Sequence, residues 1–235
     1  MKKIFSVIFA IFFAFPLFCR ASHAAAPPQK DGVIFSGSVS CGKRIALTFD
    51  DGPHPKKTGE ILDILDKYDI KATFFVIGQN AEKHPEIVSD EAERGHEIAN
   101  HSYTHPNLSK IGYEKIKEEI EKTDEIIKKA ANITPKLFRP PTGAYSESIV
   151  KVAKEYGKTT IIWTVDTLDW ANSPKDDIVK NIKSNVQNGS IILFHDFTGK
   201  DAHTKEALEE IIPYLKEQGY EFVTVSELIE ESHGK

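Results

Sequence analysis

Beyond residue 42 the chain alternates between short apolar runs and longer stretches whose apolar positions recur on one side. The runs are I-A-L-T-F (45–49), A-T-F-F-V-I (72–77), E-I-A-N (97–100), K-L-F-R (136–139), T-T-I-I-W-T-V (159–165), S-I-I-L-F (190–194) and E-F-V-T-V (221–225). Several are rich in β-branched and aromatic residues, as buried strands are. Between them the spacing predicts helices over about 58–68, 80–94, 112–131, 146–156, 175–187 and 203–218. Ile61, Leu62 and Leu65 form the apolar stripe of the first. Ser146 opens another, with Ile149, Val150 and Ala153 on its face.

Strands that alternate with helices are parallel and joined by crossovers. Seven such units predict an α/β fold, a deformed (β/α) barrel with about seven parallel strands, smaller than the eightfold version. A flat doubly wound sheet is the alternative. The chain contains no GxGxxG or GxxxxGK[ST] motif that would support a nucleotide role.

The N-terminus breaks the alternation. Lys2 and Lys3 precede the apolar run 4–18, and A-S-H-A-A-A follows. This is the layout of a secretory signal, expected to span residues 1–24 and to be cut after Ser22-His23-Ala24. An uncleaved anchor is the competing reading, but the run is shorter than the about 20 residues of a spanning helix. Bulky Phe18 before Cys19 argues against a lipoprotein site. Cleavage would leave Cys41 alone, so the exported domain would be held by its core and not by a disulfide. Residues 25–42, rich in Pro, Gly and Ser, read as a linker. No later run is long enough to cross a membrane, so no stable insertion is expected once the signal is removed. The net charge of −5 gives no electrostatic footprint for nucleic acid.

In a (β/α) barrel, chemistry gathers where the strands end. The expected strand ends carry polar residues that a core does not require: Asp50-Asp51 after the first, His101 and His105 after the third, and Arg139-Pro-Pro-Thr142-Gly after the fourth. The fifth ends in Asp166-Thr-Leu-Asp169-Trp170 and the sixth in Leu193-Phe-His195-Asp196. Histidines four apart can face one way on a helical turn, and neutral imidazole is a common ligand of zinc. Two His with one Asp make a three-ligand site with an open position, the pattern of a catalytic centre. Adjacent carboxylates at a strand end point in different directions, so one can bind metal while the other acts as general base. Asp-Asp-Gly-Pro is also plain turn chemistry. Arg139 could fix a carboxylate, and Asp169 could orient His195 and raise its pKa. Trp170 is a candidate wall for a sugar ring, or else a core aromatic. The remaining histidines (His54, His84, His96, His203, His233) read as structural or solvated, His54 being close enough to the first motif to line a groove.

The set T-F-D-D-G, H-S-Y-T-H, R-P-P-T-G, D-T-L-D-W and L-F-H, in this order, resembles the polysaccharide deacetylase family, the NodB-type domain of carbohydrate esterase family 4. The resemblance covers about 43–230, which is taken as the catalytic domain. It implies a divalent metal, usually zinc, with cobalt or another divalent ion as alternatives. By motif position it implies Asp51, His101 and His105 as metal ligands, Asp50 as catalytic base and His195 as catalytic acid. Arg139 would steady the base and Asp169 tune the acid. Leu193 would line the pocket for the acetyl methyl, and Trp170 would wall the groove. The family often has Tyr where this chain has Thr142, but the role implied there is a backbone N–H at the oxyanion, which no side chain alters. A subgroup acting on muramic acid resembles Asp-Asn at the first motif, and the intact Asp51 argues against it.

The expected signal makes this a secreted or cell-wall-associated enzyme, and a monomer is expected. By the resemblance it would remove N-acetyl groups from N-acetylglucosamine units of an extracytoplasmic polysaccharide, peptidoglycan first. Chitin oligomers and O-acetylated xylan are alternative substrates, and a catalytically silent wall-binding protein is the non-enzyme alternative.

Overall fold

The computed structural model describes residues 29–37, 42–197 and 202–230. The expected signal peptide, Cys19, Cys41 and His233 lie outside them. Ten strands lie among the described residues: β1 (Gln29–Lys30), β2 (Val33–Ile34), β3 (Arg44–Asp50), β4 (Thr73–Val76), β5 (Glu97–Asn100), β6 (Leu137–Phe138), β7 (Thr159–Ile161), β8 (Val165–Asp166), β9 (Ile191–His195) and β10 (Glu221–Phe222). Eight α-helices among the described residues connect or cover them: α1 (Lys57–Lys67), α2 (Gly78–Lys83), α3 (Pro85–Glu93), α4 (Tyr113–Ala131), α5 (Glu147–Glu155), α6 (Lys175–Asn185), α7 (Thr204–Glu217) and α8 (Val225–Glu230).

The strand order is β1-β2-β7-β6-β5-β4-β3-β9-β8, with β10 pairing β3. All pairs are parallel except β1 with β2. The sheet curls until Ser36, just past β2, bridges Ser190, just before β9. This is the expected α/β deformed barrel of parallel strands.

The two faces of β3 explain why the site lies at one end. Ile45, Leu47 and Phe49 pack outward with Leu62, Leu65, Ile211 and Phe194 under the helices. Ala46 faces inward with Phe75, Ala99, Leu137, Ile161 and Ile191. The period of two then puts Thr48 and Asp50 on the inward face as well. The barrel interior thus turns from apolar to polar toward the C-terminal strand ends. Val225, Leu228 and Ile229 of α8 join the same interior cluster.

Four expectations need correction. The run 159–165 is two strands, not one. After Ile161 the chain leaves β6, Trp163 turns in, and Thr164 N–H reaches Ile191 O at 3.0 Å, so that β8 pairs β9. The helix over 80–94 is broken at His84, because Pro85 opens α3 as its first residue. The run 221–225 stops at Phe222. Thr224 and Glu227 form a capping box, Thr224 N–H donating to Glu227 Oε2 at 2.8 Å, and α8 begins there. In the expected linker, Asp31 and Gly32 at φ 55° and 80° turn β1 into β2, whose Val33 and Ile34 are buried.

Candidate active site

Asp50 ends β3 in register with His195 of β9 and Phe75 of β4. Its carboxylate is buried. Arg139 Nη1 donates to Asp50 Oδ1 at 2.6 Å and to Thr48 Oγ1 at 2.9 Å. The guanidinium has no solvent exposure and lies 4.0 Å above the Phe75 ring. Arg139 Nη2 donates to Ile162 O at 3.4 Å, inside the interruption between β7 and β8. Each ion would be costly to bury alone, and pairing offsets that cost. One Asp50 oxygen is therefore committed to Arg139, while Oδ2 turns toward His101 Nε2 at 3.6 Å.

Asp51 leaves the strand in a left-handed conformation, φ 78°, which swings its side chain away from that of Asp50. Its Oδ1 lies 3.5 Å from His101 Nε2 and 3.3 Å from His105 Nε2. The three ligand-type atoms all fall within 4.8 Å of one another. The two histidines are not on a helical turn, as their spacing suggests. They sit on a loop in which Ser102 and His105 have φ of 65° and 56°. Backbone bonds shape this loop: Gly78 and Gln79 N–H at the start of α2 donate to Ser102 O and Tyr103 O. Glu119 of α4 accepts from Tyr103 N, Thr104 N and Thr104 Oγ1 at 2.7–2.9 Å. Asn80 Nδ2 of α2 donates to the Asp51 backbone O at 2.8 Å, tying Asp51 to the helix that also bonds the loop.

The donor set fits a divalent cation. His101 Nδ1–H donates to Arg139 O at 2.7 Å, which points Nε2 at the cluster. Burial would lower this imidazole, but the Asp50 and Asp51 carboxylates outweigh it and raise its pKa. Burial and the neighbouring His101 hold His105 below its ordinary pKa, so it is neutral near pH 7. Burial works to raise the Asp51 carboxyl, but His101, His105 and His195 outweigh it and hold it below the usual range. Asp51 Oδ1 is buried and without a hydrogen-bond partner among the described residues. A buried, unpartnered carboxylate oxygen facing two imidazoles is what a bound cation would satisfy.

On the other side, His195 Nδ1 and Asp169 Oδ1 are 2.8 Å apart. Asp169 Oδ2 accepts from His195 N–H at 2.9 Å and from Thr204 Oγ1 at 2.8 Å. Burial alone would lower the imidazole, but the Asp169 carboxylate outweighs it and lifts His195 to about 9. His195 is therefore a cation at neutral pH, ready to donate from Nε2.

A cavity of about 400 Å³ joins these groups, with Thr142, Leu193 and Trp170 in its wall. All ten residues singled out in the sequence are in this cavity or bonded to its lining. Thr142 sits at φ 58°, on the turn after β6. Trp170 is 55% exposed, so it is a rim residue and not a core aromatic. Of the other histidines, His96 is structural: it is buried, and its Nδ1 accepts from Ala72 N–H at 3.2 Å.

Sequence reasoning gave no role to Trp163 or Asp166, which also line the cavity. Asp166 Oδ1 accepts from Leu168 N at 2.9 Å and Trp170 Nε1 at 3.3 Å, and so holds the Trp170 ring. Its place in D-T-L-D-W was a usable signal. Trp163 was hidden inside what read as a continuous strand. Glu119 gave no signal at all, being one of several acids on a charged helix.

A family profile described as polysaccharide deacetylase matches residues 38–161. A peptidoglycan-N-acetylglucosamine deacetylase of Bacillus cereus is 42% identical over 205 residues, 87% of this chain and 74% of that protein. A solved peptidoglycan N-acetylglucosamine deacetylase, in complex with 4-naphthalen-1-yl-N-oxidanyl-benzamide, superposes with a TM-score of 0.81 at 42% identity, covering 83% of this chain and 92% of that one. A pseudoenzyme of carbohydrate esterase family 4 from Bacillus anthracis superposes with a TM-score of 0.80 at 33% identity, covering 86% and 70%.

Proposed function

Because the chain belongs to the polysaccharide deacetylase family, we propose that it hydrolyses the N-acetyl groups of N-acetylglucosamine units in peptidoglycan, using a divalent cation held by Asp51, His101 and His105. One observation supports this above the others. Two imidazoles and one carboxylate converge within 4.8 Å, while the adjacent carboxylate, Asp50, has one oxygen committed to Arg139 at 2.6 Å and turns the other toward the cluster, 3.6 Å from His101 Nε2. Fold likeness alone would not separate an enzyme from a silent relative, since a pseudoenzyme superposes almost as well as a deacetylase. The complete set of acid, base and ligand-type groups favours an enzyme over a wall-binding protein.

When bound, the cation, zinc in this reading, polarises the acetyl carbonyl and lowers the pKa of water. Asp50 takes the proton of the attacking water as the oxygen adds to the acetyl carbon. Arg139 keeps the base oriented. The Thr142 N–H donates to the oxyanion that develops. His195, charged through Asp169, gives its Nε2 proton to the departing nitrogen as the C–N bond breaks. The products are acetate and a free amino group on the sugar. Leu193 borders the acetyl methyl, and Trp170 walls the sugar.

The B. cereus relative supports peptidoglycan over chitin oligomers and acetylated xylan. The N-terminal pattern of Lys2, Lys3 and the apolar run supports a signal over 1–24 and an exported, cell-wall-associated enzyme. Residues 43–230 form the catalytic domain in this reading. No helix among the described residues is long and apolar enough to cross a membrane. The test is acetate release from purified peptidoglycan, chitin oligomers and acetylated xylan, each with and without chelator. Release from peptidoglycan that stops with chelator is expected, whereas release confined to xylan would refute the N-deacetylase reading.

A further inference from the structure

One buried ion pair takes no part in the chemistry above. Lys158 precedes β7, and its side chain has no solvent exposure. Lysine is almost never fully buried unless paired. Here Nζ meets Asp124 Oδ2 of α4 at 2.6 Å and donates to Pro135 O at 2.7 Å. Joining α4 to β7 does not by itself require charges, since well-packed apolar side chains often replace a buried ion pair without loss of stability. What the pair does beyond that joining lies at the other oxygen of Asp124.

Asp124 Oδ1 accepts from Asn100 Nδ2 at 2.7 Å, and the same amide nitrogen donates to Ile120 O at 2.9 Å. Both amide protons are engaged, so Asn100 Oδ1 has to face the other way. It accepts the Ser102 N–H at 2.9 Å. Asn100 is fully buried and ends β5, and Ser102 follows His101 in a left-handed conformation at φ 65°. A residue other than glycine holds that conformation only where its surroundings fix it. The bonds from Lys158 through Asp124 and Asn100 thus end on the turn that carries His101 into the ligand cluster. Burial pushes the Asp124 carboxyl up, and Lys158 is the largest influence against it. Without Lys158, a protonated Asp124 would no longer require the Asn100 amide to face it nitrogen-first.

We propose that Lys158 and Asp124 are positioning residues for the metal ligand His101: they fix the Asn100 amide, which holds the Ser102 turn, and so set cation affinity from outside the catalytic cavity. Neither residue lines that cavity. Their route is separate from that of Glu119, which bonds Tyr103 and Thr104 instead. This rests on the cation reading above and adds a remote determinant of affinity to it.

The test titrates the metal-free protein with Zn²⁺ alone, beside urea denaturation, in wild type, Asp124→Asn and the double variant Lys158→Met with Asp124→Leu. The double variant separates affinity from stability, because it removes both charges together and should unfold within the wild-type range of urea. Its Zn²⁺ affinity should nevertheless fall by about tenfold or more, the size of losing a partner that orients a ligating histidine. Asp124→Asn offers Lys158 its oxygen and Asn100 its nitrogen, which turns the Asn100 amide over and sets Nδ2 against the Ser102 N–H. Its Zn²⁺ affinity should fall by a similar factor. Co²⁺ in place of Zn²⁺ gives a second readout, since its d–d absorption reports ligand geometry and should shift in both variants. Wild-type affinity and absorption in either folded variant overturn the positioning role and leave the pair as a plain link between α4 and β7. Should the double variant not fold, Asp124→Asn alone decides. A wild type that binds neither ion overturns the cation reading itself.

Discussion

Glu119 grips Thr104 through backbone and side chain together: Oε2 accepts the Thr104 N–H at 2.7 Å, and Oε1 accepts Thr104 Oγ1 at 2.9 Å. Thr104 lies between His101 and His105, so a buried acid of α4 holds the loop that presents both imidazoles. Hydrogen bonds to an ionised group are among the stronger ones, and groups that orient metal ligands commonly set affinity. Glu119→Ala should weaken zinc binding by about 10–100-fold, and Glu119→Gln, which keeps one acceptor, by less. Calorimetric titration of the metal-free protein measures this, with circular dichroism to confirm the fold. Unchanged zinc affinity in Glu119→Ala would show that the loop holds its shape without the acid.

The Asp169–His195 pair sets a pH dependence whose sign is fixed. The folded pKa of about 9 lies above the ordinary value of 6.5. A raised imidazole contributes stability that is fully present below pH 6.5 and is lost as pH rises through 9. The loss is at most on the order of 3 kcal/mol. Activity should have an alkaline limb in the same window, because the deprotonated ring cannot protonate a leaving amine. Asp169→Asn removes the charge that outweighs burial. The limb in kcat/KM should then move down by at least about one pH unit, visible in a pH–rate profile. A limb that stays in place would assign it to another group.

Arg139 and Asp50 make a second pair with separable roles. Asp50→Asn should cut kcat by roughly two to four orders of magnitude while zinc affinity stays within a few-fold of wild type. Arg139→Ala does something else. It leaves the Asp50 carboxylate buried without its cation, at a cost of about 3–5 kcal/mol in urea denaturation. If Asp50→Asn instead abolished zinc binding, the division of labour between the two adjacent aspartates would be wrong.

How far the sequence led depends on the range of the forces involved. The runs at 45–49, 72–77, 97–100 and 190–194 became β3, β4, β5 and β9 almost residue for residue, because local β propensity and burial agree there. The barrel and its polar end followed from strand–helix alternation. What was missed turns on partners distant in sequence or on turn chemistry. The run 159–165 splits because Trp163 turns into a cavity made by other strands. The His loop is non-helical because Glu119, Gly78 and Gln79 satisfy its backbone from two helices. Asp31-Gly32 and the Thr224–Glu227 capping box were legible, but the first lay in a stretch read as linker and the second inside a run read as strand.

The turn after β6 offers the sharpest test of the oxyanion role assigned to a backbone group. Thr142 and Gly143 both have positive φ, 58° and 70°, on the turn that carries the Thr142 N–H. Gly143 has no room for a side chain: a Cβ there would lie 2.6 Å from the Trp163 ring, a tighter approach than any real contact, in a conformation that favours glycine. Gly143→Ala must therefore shift either the turn or the ring, and each lines or borders the cavity. The proposed ligands Asp51, His101 and His105 lie just past β3 and on the loop after β5, away from that turn. The expected outcome is a kcat lowered by about 10²–10³, the size of losing one oxyanion donor, with zinc affinity unchanged. Thr142→Tyr is the complementary variant: it changes the side chain but keeps the N–H, so kcat should be near wild type even if KM moves. Equal loss of kcat in both variants would mean that the Thr142 side chain, and not its backbone, matters to the reaction.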